Sequence, residues 1–156
     1  MKCLSIMQPY ASLILAGMKQ YETRHWRTSH RGPLGIHASR RTTDEITMYC
    51  QREPLRSAIR KLGSSSREAL PTGAILGYVT LIDCLPTHLI PAGDINDFER
   101  AAGDFRSGRF AWHLTNPVFL EHPILMSGRP SIFDAPFTIN HECNSLSLPF
   151  LPIEEK

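Results

Sequence analysis

Residues 8–39 read QPYASLILAGMKQYETRHWRTSHRGPLGIHAS, and the pattern inside this stretch sets the expectations for the whole chain. Ala11, Leu13, Ile14, Leu15 and Met18 fit one face of a short helix. Pro9 suits its first turn, and Gly17 suits its C-terminal end. Tyr21-Glu22-Thr23-Arg24 then has strand character, and a polar loop runs from His25 to Arg31. Gly32-Pro33 marks a turn into a second strand, Leu34 to Ala38, whose small residues allow close backbone approach. The stretch is also the basic part of the chain. Between Arg24 and Arg41 stand Arg24, Arg27, Arg31, Arg40 and Arg41 with no acid, a local charge of +5 in a chain of net +2, so the remaining residues sum to −3. A basic patch with an aromatic, Trp26, inside it points to a polyanion or a nucleotide as partner.

Outward from this stretch, Lys2 to Ile6 is an opening strand halted by Pro9. Thr43 to Leu62 is helical, capped by Thr42 or Thr43 and divided into two short helices by Pro54. Ala74 to Asp83 is a nearly continuous apolar run, the signature of a buried central strand. Pro86 to Gly108 is irregular, with a short helix over 95–102. Phe110 to Leu114 alternates as a strand, Asn116-Pro117 begins a turn, and strands follow at Val118 to Ile124 and Ser131 to Phe133. These short strands, two helical regions and no repeat indicate a small α+β domain, a β-barrel flanked by short α-helices. Its expected extent is 1–139, with 140–156 as a C-terminal tail packed on the domain or trailing from it.

A chain of 156 residues, 42% apolar and 21% charged, is large enough for one full core and too apolar for disorder. No apolar run reaches the roughly 20 residues of a membrane helix, and Met1-Lys2-Cys3 does not open a signal peptide. These features predict a soluble, cytoplasmic protein with no membrane partner. Cys3, Cys50, Cys84 and Cys143 lie far apart without a CxxC pair, so reduced and mostly buried thiols are expected, with no metal site. His25, His30 and His37 form no metal-binding pair at helical spacing.

The ordered series Leu4-Ser5-Ile6-x-Gln8-Pro9-Tyr10-Ala11, Gly17-x-Lys19-x-x-Glu22-x-Arg24-x-Trp26 and Arg31-Gly32-Pro33-Leu34-x-Ile36-His37-Ala38 resembles the ASCH domain. Gly73 to Gly77, Phe110-Ala111-Trp112-x-Leu114-x-Asn116-Pro117 and Gly128-Arg129-x-x-Ile132-Phe133 continue the resemblance to about Asp134. It implies a PUA-like β-barrel with helices beside a cleft, and single-stranded RNA or a nucleotide as ligand. Members of this family include RNA-binding proteins, coactivators, ribonucleases and amidohydrolases of N4-acylated cytidines. Tyr10 stands where the family usually has Trp, which keeps an aromatic face for stacking. The Lys-x-x-Thr motif of the amidohydrolases is not reproduced. Glu22 occupies its third position, Thr23 lies one step on, and the later strand offers Thr80 and Asp83 but no glutamate.

The resulting candidate site has Lys19, Glu22 and Tyr10 as catalytic residues. Ser5, Gln8, Arg24, Trp26, Arg27, Arg31, His37 and Ser39 are the nucleic-acid-binding residues. Arginine presents a planar fork of donors to phosphate, and aromatic rings stack on unpaired bases. Core packing is the competing role for Trp26 and Trp112, and a satisfied structural histidine is the competing role for His37. No nucleophile elbow, P-loop or HExxH motif is present. The function so expected is RNA binding with no cofactor. Ribonuclease (hydrolase) activity, divalent-metal dependence and oligomeric state stay open at this stage. Hydrolysis of acylated nucleosides and a non-catalytic protein-interaction module are the alternatives. Lys19 and Arg24 are both expected to face the cleft, so their removal should spare the fold.

Overall fold

The computed structural model describes residues 1–140 and 145–147. Its elements run β1 (Lys2–Met7), α1 (Tyr10–Leu15), β2 (Tyr21–Arg24), β3 (Gly32–Ser39), α2 (Asp44–Cys50), α3 (Leu55–Lys61), β4 (Ala74–Pro86), α4 (Asp97–Ala102), β5 (Phe110–Leu125), β6 (Ile132–Asp134), β7 (Thr138–Asn140) and β8 (Ser145–Ser147). Six strands form one mixed sheet in the order β2-β5-β4-β3-β1-β6, and β7 pairs with β8. Among the described residues the sheet curls into a half-barrel beside four short helices, an α+β architecture of the kind expected from the sequence.

β1 and β3 run parallel, Ser5 opposite His37, and every other pairing in the large sheet is antiparallel. A parallel pair needs a long connection. Here α1 and β2 supply it, and the detour carries β2 to the far edge beside β5. α1 buries Ala11 through Leu15, so the apolar periodicity anticipated its inward faces. The core inside the curl is Leu4, Ile6, Ile14, Leu34, Ile36, Leu76, Val79, Leu81 and Trp112, among others. Residues 74–79 of β4 are buried without interruption, as the apolar run foretold.

The C-terminal half differs from expectation in one respect. The turn expected at Asn116-Pro117 is instead a distortion within a single long strand, β5. Asn116 takes a positive φ of 50°, and the pairing with β4 shifts register between Ile75 and Gly77 and again between Tyr78 and Thr80. Such irregularities bend a strand and let a proline sit inside it. Gly77 permits the bend, because a Cβ there would lie 2.1 Å from the Val118 carbonyl oxygen.

The helical region divides at Pro54 into α2 and α3, and the Thr43 Oγ1 accepts from the Ile46 amide at 3.2 Å. Asn96 caps α4 by accepting from the Glu99 amide at 2.8 Å. Cys3, Cys50 and Cys84 are buried free thiols, and burial pushes the thiols of Cys3 and Cys50 up to about 11. Cys143 lies outside the described residues, as does most of the tail expected over 140–156. The Met1 ammonium donates to the carbonyls of Ala135 and Phe137 at 2.7 and 2.8 Å, fastening the chain start against the segment after β6. Among the described residues, no helix is long and apolar enough to cross a membrane.

Candidate nucleic-acid interface

β2 and β1 are separated by three strands in the sheet order, yet the curl brings the end of β2 back against β1. No backbone ladder joins them in the large sheet. A side chain does: Arg24 Nη2 donates to the Ser5 carbonyl at 2.8 Å. The guanidinium thus crosses the open seam of the half-barrel, and a cleft lies on each side of it. Arg24 lines both.

The larger cleft, about 800 Å³, lies between β2, the β1–α1 junction, α2 and the segment after α4. Tyr10, Glu22, Thr23, His25, Asp104 and Arg109 are on its walls, and its charge is mixed. Alternation along β2 places Glu22 and Arg24 on one face, and Glu22 Oε1 lies 2.9 Å from Arg24 Nε. The angle is not that of a hydrogen bond, and Arg24 Nε has no acceptor. Thr23 ties β2 to the opposite wall. Its Oγ1 accepts from the Asp104 amide at 2.9 Å, and its carbonyl accepts from Arg109 Nη2 at 3.2 Å. Hydrogen bonds from Arg106 hold the Asp104 carboxyl down at about 2. Burial, with smaller contributions from Cys50 and Glu22, pushes the Tyr10 phenol up to about 12, so it enters the cleft as a protonated donor.

Lys19 is adjacent to this cleft without reaching it, which corrects the expectation that it faces the ligand. Its side chain is 1% exposed, and Nζ lies 3.7 Å from Glu99 Oε2 and 5.9 Å from the Tyr10 ring centroid. The loop closes on it at Gly103, where a Cβ would come within 3.3 Å of Nζ. Desolvation lowers the Lys19 ammonium from its ordinary range, while Glu22 and Glu99 act against that shift. Glu99 Oε1 also accepts a hydrogen bond from the Gln20 amide, so α4 is clamped over Lys19. Removing Lys19 would therefore strand a buried carboxylate, and its loss would not spare the fold.

The second cleft, about 490 Å³, is lined by Ser5, Arg24, His37, Ser39, Arg40, Arg41, Gly73 and the 126–131 loop with Arg129. It contains four arginines and no acid. His37, 2% exposed, sits in its floor with Nδ1 3.0 Å from Ser5 Oγ and Nε2 3.0 Å from the Met126 carbonyl.

The remaining expected residues are placed elsewhere. Gln8 is fully buried, its amide donating to Ser12 Oγ and to the Pro71 carbonyl, both at 2.8 Å. Trp26 packs edge-on against Trp112, ring centroids 4.6 Å apart, a pairing worth about 0.5–1.5 kcal/mol beyond burial. Arg31 pairs with Asp83 at 3.1 Å, and exposed Arg27 lines neither cleft. Sequence reasoning passed over Glu99, Asp104 and Arg109, whose roles arise only when α4 and the following loop fold onto β2. Arg40, Arg41 and Arg129 were visible, the first two in the basic patch and the third in the Gly128-Arg129 motif. Among the described residues, no group of three His, Cys, Asp or Glu side chains could hold a metal ion.

The model of the ASCH domain matches residues 4–123, well over half of the sequence and including both strands that carry Arg24 and Ser5. The chain belongs to the ASCH domain family. The human protein Activating signal cointegrator 1 is 40% identical to it over 88 residues, which are 53% of this chain and 14% of that protein. The mouse protein of the same name is 41% identical over 88 residues with the same coverage. The matched segment is thus a small fraction of those relatives' length. Among solved structures, ASCH from Zymomonas mobilis aligns with 96% of this chain and 87% of its own, at 12% identity and a TM-score of 0.47.

Proposed function

We propose that this ASCH domain binds single-stranded RNA across the seam of its half-barrel, with Arg24 at the crossing point. The observation that carries the reading is that one guanidinium lines both clefts, one of them free of acids and lined by four arginines. An acid-free arginine groove is suited to the sugar-phosphate backbone. The larger cleft offers the Tyr10 ring, the protonated Tyr10 hydroxyl and the Glu22 carboxylate, a combination suited to an unpaired base: a face to stack on, a donor and an acceptor. Ser5, His37 and Ser39 belong to the backbone side, and Tyr10 and Glu22 to the base side. Lys19 supports the latter from beneath. The ammonium is held by Glu99 and shielded from the cleft, which favours recognition over strand cleavage.

The test is a fluorescently labelled single-stranded oligoribonucleotide incubated with wild type and Arg24→Ala, with and without Mn²⁺, with bound and cleaved fractions measured together. Binding that weakens at least tenfold in Arg24→Ala, falls steeply with salt and leaves the strand intact is the expected result. Cleavage by wild type would instead assign ribonuclease activity to the larger cleft. Kinship with Activating signal cointegrator 1 favours a second reading, a coactivator-like module that docks a protein partner. No RNA binding at low salt would leave that reading in place of the first.

A further inference from the structure

The acid-free cleft contains a Ser5–His37 pair, its imidazole buried and its serine partly exposed, that RNA binding in general does not require. The chemistry of this pair is set by its surroundings. A carbonyl oxygen only accepts hydrogen bonds, so His37 Nε2, 3.0 Å from the Met126 carbonyl, carries a proton. In neutral His37 that is the ring's one proton, so Nδ1 is an acceptor. The Ser5 hydroxyl, 3.0 Å away, must then donate to Nδ1 and presents only lone pairs to the cleft. A phosphate oxygen needs the opposite, a donor. One added proton resolves the conflict. With Nδ1 protonated, His37 donates to Ser5 Oγ, and the Ser5 hydroxyl is free to turn its hydrogen outward.

The groups around His37 agree with this. Ser5 comes from β1, the Phe133 ring edge from β6, the Met126 carbonyl from the segment after β5, and Ile75 from the adjacent β4 strand. The charged groups on the cleft are the guanidiniums of Arg24, Arg40, Arg41 and Arg129. These cations repel any further positive charge in the empty cleft, and a bound anion would offset that repulsion. Gly128 keeps the pair open, since a Cβ there would lie 2.4 Å from Ser5 Oγ and 2.6 Å from His37 Cε1.

We propose that this cleft is a phosphate subsite in which the Ser5 hydroxyl donates to the phosphate and His37 takes up one proton from solvent as the anion binds. The inference rests on the RNA reading and deepens it by assigning one phosphate a proton-linked seat.

The experiment uses 5′-hydroxyl hexauridylate, whose phosphodiesters and bases keep constant charge from pH 5.5 to 8.0. Its affinity is measured across that range at fixed ionic strength for wild type, Ser5→Ala and Gly128→Ala. In parallel, the protonation of the His37 ring is followed by nitrogen-15 NMR as sulfate, another anion of constant charge, is added. Wild-type affinity is expected to fall as pH rises above about 6.5, by up to tenfold per unit for one linked proton. That slope should be lost in Ser5→Ala and Gly128→Ala, and sulfate should convert His37 to the imidazolium in wild type. Hexauridylate binding with the same pH slope in wild type and Ser5→Ala would assign the proton to another group, such as His25 on the larger cleft. That result would overturn the subsite while keeping the RNA reading. Sulfate protonating His37 with no hexauridylate binding at any pH would keep the subsite and overturn the RNA reading. A His37 ring unchanged by sulfate would overturn the subsite.

Discussion

The two clefts that meet at Arg24 are built from neighbouring strands but on opposite electrostatic plans. On the β2 side, charges are matched. Glu22 faces Arg24, Asp104 faces Arg106 and Arg109, and Glu99 faces Lys19, so the region is largely neutralised by its own ion pairs. On the β1–β3 side, Arg40, Arg41 and Arg129 line a groove with no carboxylate among its residues. Matched charges hold a shape, whereas unmatched ones invite a counter-charge from outside. One wall of the seam therefore spends its charges on architecture, and the other leaves them available for a ligand.

Mutations that separate architecture from ligand binding can break this comparison. The largest effect should come from Glu99→Ala, which leaves the buried Lys19 ammonium without its nearest carboxylate. Loss of one partner of a buried pair costs about 3–5 kcal/mol, to be read in denaturant unfolding. The salt dependence of RNA binding by the folded fraction should be unchanged. Arg24→Ala removes the latch between β2 and β1 and should cost about 1.5–3 kcal/mol, the range for a hydrogen bond from a charged group. Because Arg24 lines both clefts, it should also be the one variant here that reduces stability and RNA affinity together. Arg129→Ala is the opposite case. The melting temperature should stay put, while the slope of log affinity against log salt should fall by about one. An equal loss of stability in Arg129→Ala and Glu99→Ala would erase the distinction between the two walls.

The smallest effect concerns Asp104. Its carboxyl is held down to about 2 from 3.8, so the folded state favours the ionised form. The stabilisation is present above the unfolded value and disappears as pH falls through the folded one. Asp104→Asn should therefore flatten the stability profile between about pH 4 and 2, and only slightly, because exposure to solvent screens the pairs.

Much of the barrel was legible because local signals and global needs agreed. The apolar run of β4 is buried from 74 to 79, Thr43 caps α2 and Pro54 divides the helical region. β5 was misread in part because Asn116-Pro117 has turn chemistry, and only the partner strand shows that the chain bends there without turning back. Of the basic stretch, Arg24, Arg40 and Arg41 line the acid-free groove, whereas Arg27 and Arg31, expected as binding residues, do not. Lys19 was harder. Its burial depends on Glu99 and Gly103, which lie far along the chain in a region with little pattern. A charge that is buried against an internal counter-charge looks, in sequence, the same as one that is free.

The seam closed by Arg24 has a dynamic consequence. A barrel whose last join is made by side chains, with Arg24 supplying a hydrogen bond across it, can open there without breaking any ladder between strands. The amides that border that join, in β2 and at Ser5, should exchange with solvent through small local openings well before the central β3 and β4 strands do. A strand of RNA lying over both clefts would span the opening, so part of its binding free energy would appear as slowed exchange along the seam. In this molecule, holding the ligand and keeping the barrel shut would be one equilibrium seen from two sides.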